Sequence, residues 1–146
     1  MPFSMSFTIK TAMMILLFVG VYYTISNEVD MAQKTKYYSY MKEIGLYVEG
    51  KLLDGMNSVN IYASNTTEKL VLPAIGTDYS VQFYCDSVEN FLAINVKSES
   101  VGRNYLIQEY VNCSRVSANG TVYAGEQCLN VKRVNATNIM ITASKC

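Results

Sequence analysis

Four cysteines, Cys85, Cys113, Cys128 and Cys146, are the most reactive side chains in this 146-residue chain, and no Cys-x-x-Cys pair occurs among them. Zinc sites and thioredoxin-type redox centres use close pairs, so this spacing points to two disulfides formed in an oxidising compartment. Four Asn-x-Ser/Thr sequons, at Asn65, Asn112, Asn119 and Asn135, add a second chemistry, the acceptance of a glycan on an amide nitrogen. Asn119 falls at an expected turn tip, where a glycan has room, whereas Asn112 adjoins Cys113 and is the weakest candidate of the four. The carboxylates Asp78, Asp86, Glu89 and Glu99 have no spacing that would pair an acid with a base, and they read as solvated turns and strand ends.

The chain contains no histidine. That removes imidazole general-base catalysis, Ser-His-Asp and Cys-His constellations and histidine metal ligation. No calcium-loop pattern of Asp, Asn, Gly and Glu occurs either, so neither a metal nor another cofactor is expected. The 12 basic and 12 acidic residues balance, which gives no electrostatic case for nucleic acid. A protein that is not an enzyme is the expectation.

The elements that must position the cysteines and sequons divide the chain into three parts. Residues 1–26 form a membrane-spanning or filament-core helix, because Thr11 to Ile25 carries neither charge nor proline and Met13 to Val21 is apolar on every face. Including Phe3 to Ile9 gives the length a bilayer needs, with Lys10 snorkelling to the headgroups and Tyr22 and Tyr23 at the far interface. A cleaved secretory signal competes with this reading, but Thr24-Ile25-Ser26 matches a cleavage site poorly. Lys10 on the N-terminal side, against Glu28 and Asp30 on the other, favours a cytoplasmic N-terminus and an extracellular C-terminal part.

Residues 27–57 continue as an amphipathic helix, since no proline intervenes between Pro2 and Pro73. Tyr37, Met41, Ile44, Val48, Leu52 and Met56 form one apolar stripe, widened by Tyr40 and Tyr47. The stripe is expected to cover the protein's own β-domain. Gly45, Gly50 and Gly55 mark bends or the close approach of a neighbouring helix, and Gly55 with Asn57 marks the helix stop.

Residues 58–146 alternate with period two between turn-forming clusters, which predicts an antiparallel sheet or small sandwich and an α+β fold overall. Strands are expected near residues 69–72, 79–85, 91–97, 105–111, 115–118, 121–124, 128–134 and 138–143. Asn119-Gly120 has the composition of a two-residue hairpin turn. That turn would bring Cys113 to Cys128 and leave Cys85 for Cys146, whereas a turn at Asn135-Ala136 would pair Cys128 with Cys146 and Cys85 with Cys113. The first is favoured because its turn is better specified.

This order of elements resembles archaeal type IV pilin-like proteins, as does the phrase Leu70-Val71-Leu72-Pro73-Ala74-Ile75-Gly76-Thr77-Asp78-Tyr79-Ser80-Val81 at the entry to the β-domain. The resemblance implies a cell-surface pilus or minor pilin subunit, held in membrane lipid by its N-terminal helix and packing on other pilin-like subunits. Where such precursors carry a charged residue and glycine before processing, this chain has Lys10-Thr11. The alternative is therefore a permanently anchored binding module, similar to the stator proteins of the archaeal swimming filament, whose partner is a surface-layer protein.

Overall fold

The computed structural model describes residues 5–61 and 64–146. One helix, α1 (Met5–Ile61), precedes seven strands: β1 (Asn65–Leu72), β2 (Ser80–Asp86), β3 (Phe91–Ser98), β4 (Arg103–Tyr110), β5 (Val116–Tyr123), β6 (Gly125–Arg133) and β7 (Ile139–Lys145). The α+β class expected from the two periodicities is the one found. The first four residues of the expected anchor, Phe3 among them, lie outside the described residues. By contacts the chain divides into an N-terminal unit through Lys36 and a second unit, Tyr37–Cys146.

In the second unit the apolar stripe of α1 is buried on the sheet. Met41, Val48 and Leu52 are fully enclosed, and they share one core with Leu70, Val81, Phe83, Ile94, Val131 and others from one sheet face. Two helical glycines set the spacing of these layers. A Cβ on Gly45 would stand 2.9 Å from Ile107 Cδ1, and one on Gly55 would stand 2.8 Å from Val131 Cγ2. Both are closer than packed carbon atoms tolerate, so these glycines serve the approach of the helix's own sheet, where a bend or a neighbouring helix was expected. Gly55 with Asn57 does not stop the helix, which runs on to Ile61. Arg133 of β6 donates to the Val59 carbonyl, so the late turn is capped by a cation from the sheet, favourable at the negative end of a helix dipole.

The strands form one sheet in the order β1-β6-β7-β5-β2-β3-β4. All neighbours are antiparallel except β5 and β7, which run parallel with Val116 opposite Ile139, so the expected antiparallel sheet is mixed. The parallel pair arises because the β6–β7 hairpin inserts between β1 and β5. Its turn lies where Asn135-Ala136 predicted it, closed by a 2.8 Å bond from the Val134 amide to the Asn138 carbonyl.

Asn119-Gly120 is not a turn. It lies inside β5, with Asn119 opposite Tyr84 and Gly120 opposite Phe83, and the two short strands expected on either side are one. A Cβ on Gly120 would stand 2.5 Å from Phe83 Cζ and 3.1 Å from Ala143 Cβ. The glycine makes room for a buried phenyl ring, so its lack of a side chain matters here and its freedom of φ does not.

Without the Asn119 hairpin, the favoured cysteine pairing fails as well. The bridges are Cys85–Cys113 and Cys128–Cys146. The first joins β2 to the segment after β4, and the second joins β6 to the residue following β7. Cys85 lies against the core, while Cys128, between Lys69 and Ser144 in register, is on the face turned away from α1.

Candidate functional site

Three surfaces could carry function. The first is the N-terminal stretch of α1. Leu16, Phe18 and Tyr22 are each more than 70% exposed, and Met13, Ile15, Leu17, Val19 and Val21 are exposed as well, so no side of this stretch is covered. One window of 18 residues is apolar enough to cross a membrane, and none of it is buried within the protein. Two of its hydroxyls are satisfied within the helix. The Thr11 and Thr24 hydroxyls donate to the carbonyls four residues earlier, at Phe7 and Gly20, at 2.9 and 3.0 Å, as a helix in hydrocarbon requires. Gly20 and Thr24, one turn apart, line a shallow apolar notch with Leu16, Leu17, Val21 and Ile25. A Cβ on Gly20 would meet nothing within 4 Å, so the notch is open.

The second surface is the end of the sheet at which α1 finishes. It gathers the β2–β3 turn, the segment 111–115 and the β6–β7 turn. Hydrogen bonds from the Ile139 amide to the Arg115 carbonyl (2.8 Å) and from the Val111 amide to the Asn90 carbonyl (3.1 Å) tie these segments together. Asp86 Oδ1 accepts from the Val88 and Glu89 amides at 2.8 and 3.2 Å, which closes the β2–β3 turn. Asn112 and Asn135 lie at this end in tight turns, and Asn65 opens β1 here. Asn119 does not join them, since it is an exposed residue of a central strand. The Cys85–Cys113 bridge braces the same end.

The third surface is the opposite end, where Tyr37 meets the segments 73–79 and 99–102. Ser98, 1% exposed, is bonded to the Asp78 carbonyl at 2.9 Å and to the hydroxyls of Thr77 and Ser100 at 3.2 and 3.1 Å, and Thr77 and Ser100 are bonded to each other. This hydroxyl cluster holds the long β1–β2 connection in place. Beside it are two open grooves of about 590 and 430 Å³. The second brings Asp78 and Glu99 to one rim with Lys97 and Tyr123, a grouping that their distance in sequence did not suggest. Asp86 and Glu89 stay at the other end. The signal for the hydroxyl cluster was present in β3, where Ser98 occupies the inward phase of Leu92, Ile94 and Val96.

Tyr79, at the entry to β2, donates its hydroxyl to the Pro73 carbonyl at 2.7 Å, and burial pushes its ionisation up to about 12. On α1, burial raises the Glu49 carboxyl above its ordinary range, and the negative Glu109 adds to the effect. Among the described residues, no group of three or more Cys, Asp or Glu side chains is placed to hold a metal ion.

The sheet face turned away from α1 mixes polar and apolar side chains, with Val71, Leu106 and Met140 exposed among them. A single row in register crosses all seven strands as Thr67, Asn130, Thr142, Asn119, Tyr84, Ala93 and Gln108. Thr67 donates to Asn130 Oδ1 at 3.1 Å and Asn130 Nδ2 donates to Ser144 at 2.9 Å, so part of the row is already bonded to itself. Comparison with known proteins finds no matching family model, no matching curated protein and no matching solved structure.

Proposed function

We propose that the chain is a cell-surface structural protein, a pilin-like subunit whose N-terminal helix rests in membrane lipid and then packs with the same helix of other subunits in a filament. One observation carries this reading. A single helix passes from a stretch that is apolar and uncovered on every side to a stretch whose apolar stripe is buried on its own sheet. The buried part needs no partner. The uncovered part needs lipid or other helices, because so much continuous apolar surface is unfavourable in water.

The two disulfides support an oxidising location for Tyr37–Cys146. The open notch at Gly20 and Thr24 supports helix association, because small residues one turn apart let a second helix approach closely. Filaments sheared from the native cells are expected to contain the chain with a processed N-terminus near Thr11. Replacement of Gly20 by leucine is expected to abolish filament incorporation while leaving membrane insertion unchanged. A chain found only in membranes, with Met1 intact, would overturn the filament role.

That outcome would favour the second reading, a permanently anchored extracellular binding module whose partner is a surface-layer protein. The absence of a glycine before Thr11 supports this alternative.

A further inference from the structure

We propose that Asn112 and Asn135 are the glycan acceptors of this protein and that Asn65 and Asn119 are not. The four sequons are alike in sequence, and all four asparagines are exposed. Conformation separates them into two pairs.

At Asn112 the side-chain oxygen Oδ1 accepts from the Ser114 amide at 3.2 Å and also from the Ser114 hydroxyl. At Asn135, Oδ1 accepts from the Thr137 amide at 2.9 Å, the Thr137 hydroxyl at 3.1 Å and the Asn138 amide at 2.8 Å. Each is an Asx turn in which the sequon's own hydroxyl bonds its own carboxamide. With Oδ1 turned back on the chain, Nδ2, on the other side of the same carbon, faces away from the turn.

The strand sequons cannot do this. Asn119 and Thr121 are two residues apart in extended chain, so their side chains leave the same face about 7 Å apart. Asn119 is in register with Tyr84 on one side and Thr142 on the other, which leaves no slack to fold it into a turn. Asn65 opens β1 opposite Lys132, and its sequon hydroxyl, on Thr67, is donated across to Asn130 instead.

The chemistry needs the turn. An amide nitrogen is a weak nucleophile because its lone pair is delocalised into the carbonyl. Donors on Oδ1 stabilise negative charge on that oxygen and so make the Nδ2 proton easier for a base on the transferase to remove, which leaves a lone pair on nitrogen free to attack. Nδ2 then attacks the anomeric carbon of a lipid-linked glycosyl phosphate. The N–C bond forms, the C–O bond to phosphate breaks, and phosphate departs with the bonding pair. The amide proton passes to a base on the transferase, and nothing is oxidised or reduced.

Both turns are local. The Asn112 turn is closed by bonds from the Arg115 and Val116 amides to the Asn112 carbonyl at 2.9 and 3.1 Å, and the Asn135 turn by the Val134–Asn138 bond. They can therefore form before the sheet does, while the strand sequons acquire their register only with it.

This assignment rests on the export of Tyr37–Cys146. The test is to express the full chain in a host with an N-glycosylating export pathway and measure occupancy at each site by mass spectrometry, with glycans released in heavy-oxygen water. Non-reducing peptide maps from the same sample report the disulfides. Most chains are expected to carry glycan at Asn112 and Asn135, with under a tenth occupied at Asn65 or Asn119. Asn112→Gln and Asn135→Gln should each remove one glycan, whereas Asn119→Gln should leave the mass distribution unchanged apart from the substitution. Equal or greater occupancy at a strand site overturns the proposal, as does bridged protein without glycan, which leaves the export reading intact. A reduced chain without glycan would count against both.

Discussion

At the scale of single residues, three glycines carry opposite predictions. A Cβ at Gly50 would meet nothing within 4 Å, so Gly50→Ala is expected to stabilise the protein by up to about 1 kcal/mol through helix propensity alone. Gly55→Ala puts a methyl against a β-branched core side chain, and Gly120→Ala puts one into the Phe83 ring, so each is expected to cost about 1–3 kcal/mol. Denaturant midpoints of the three variants check the order, and Phe83→Leu should recover part of the Gly120→Ala loss because the two sites are in contact. Two ionisable groups set a pH dependence. Folded Tyr79 keeps its proton up to about 12 while the unfolded tyrosine loses it near its ordinary value of 10.0, so the native state binds more protons across that window and stability falls as pH rises through it. Tyr79→Phe is expected to flatten that fall, at the loss of the bond to Pro73. The raised Glu49 acts in the same direction just above the ordinary value of 4.5, so Glu49→Gln should stabilise at neutral pH and remove the slope there. Urea titrations across both ranges measure these slopes.

At the scale of elements, the helix and the strands were legible because burial imposes different periods on them. The stripe from Met41 to Met56 and the alternation of β3 are each a direct imprint of one covered face. The errors came where one residue type serves two physical ends. Gly120 after an asparagine reads as a turn, yet it is placed for a ring that comes from β2, far away in sequence. Gly55 reads as a helix stop, yet it is placed for Val131. In both cases the deciding neighbour belongs to another element, so local pattern could not reveal it. The cysteine pairing went wrong through the same misplaced turn. The observed bridges give their own prediction: they close loops of 28 and 18 residues, for which chain entropy implies about 3 to 4 kcal/mol each. Replacing Cys85 and Cys113 by alanine is expected to cost more than replacing Cys128 and Cys146, since Cys85 also packs against the core and closes the longer loop. Thermal melts of the two double variants check this order.

At the scale of the whole molecule, the candidate surfaces were legible to different degrees. The N-terminal stretch of α1 was read correctly as apolar on all sides because no partner in the chain is needed to define it. The sequons were visible as words, but their conformations were not, and the structure places Asn119, the roomiest by turn pattern, in a central strand. The grooves at the far end depend on Asp78 and Ser100 meeting across the β1–β2 and β3–β4 connections, which only the fold creates. The sheet order has one further consequence, for the timing of biogenesis. β1 leaves the helix first, yet it is an edge strand whose one neighbour in the sheet is β6. A chain emerging from its N-terminus must keep β1 unpaired until residues 125–133 have emerged as well, and β7 must follow before the two halves of the sheet are joined. Folding therefore cannot proceed in step with emergence, and a chain stalled part way through synthesis presents β1 as an open edge to whatever stands nearby.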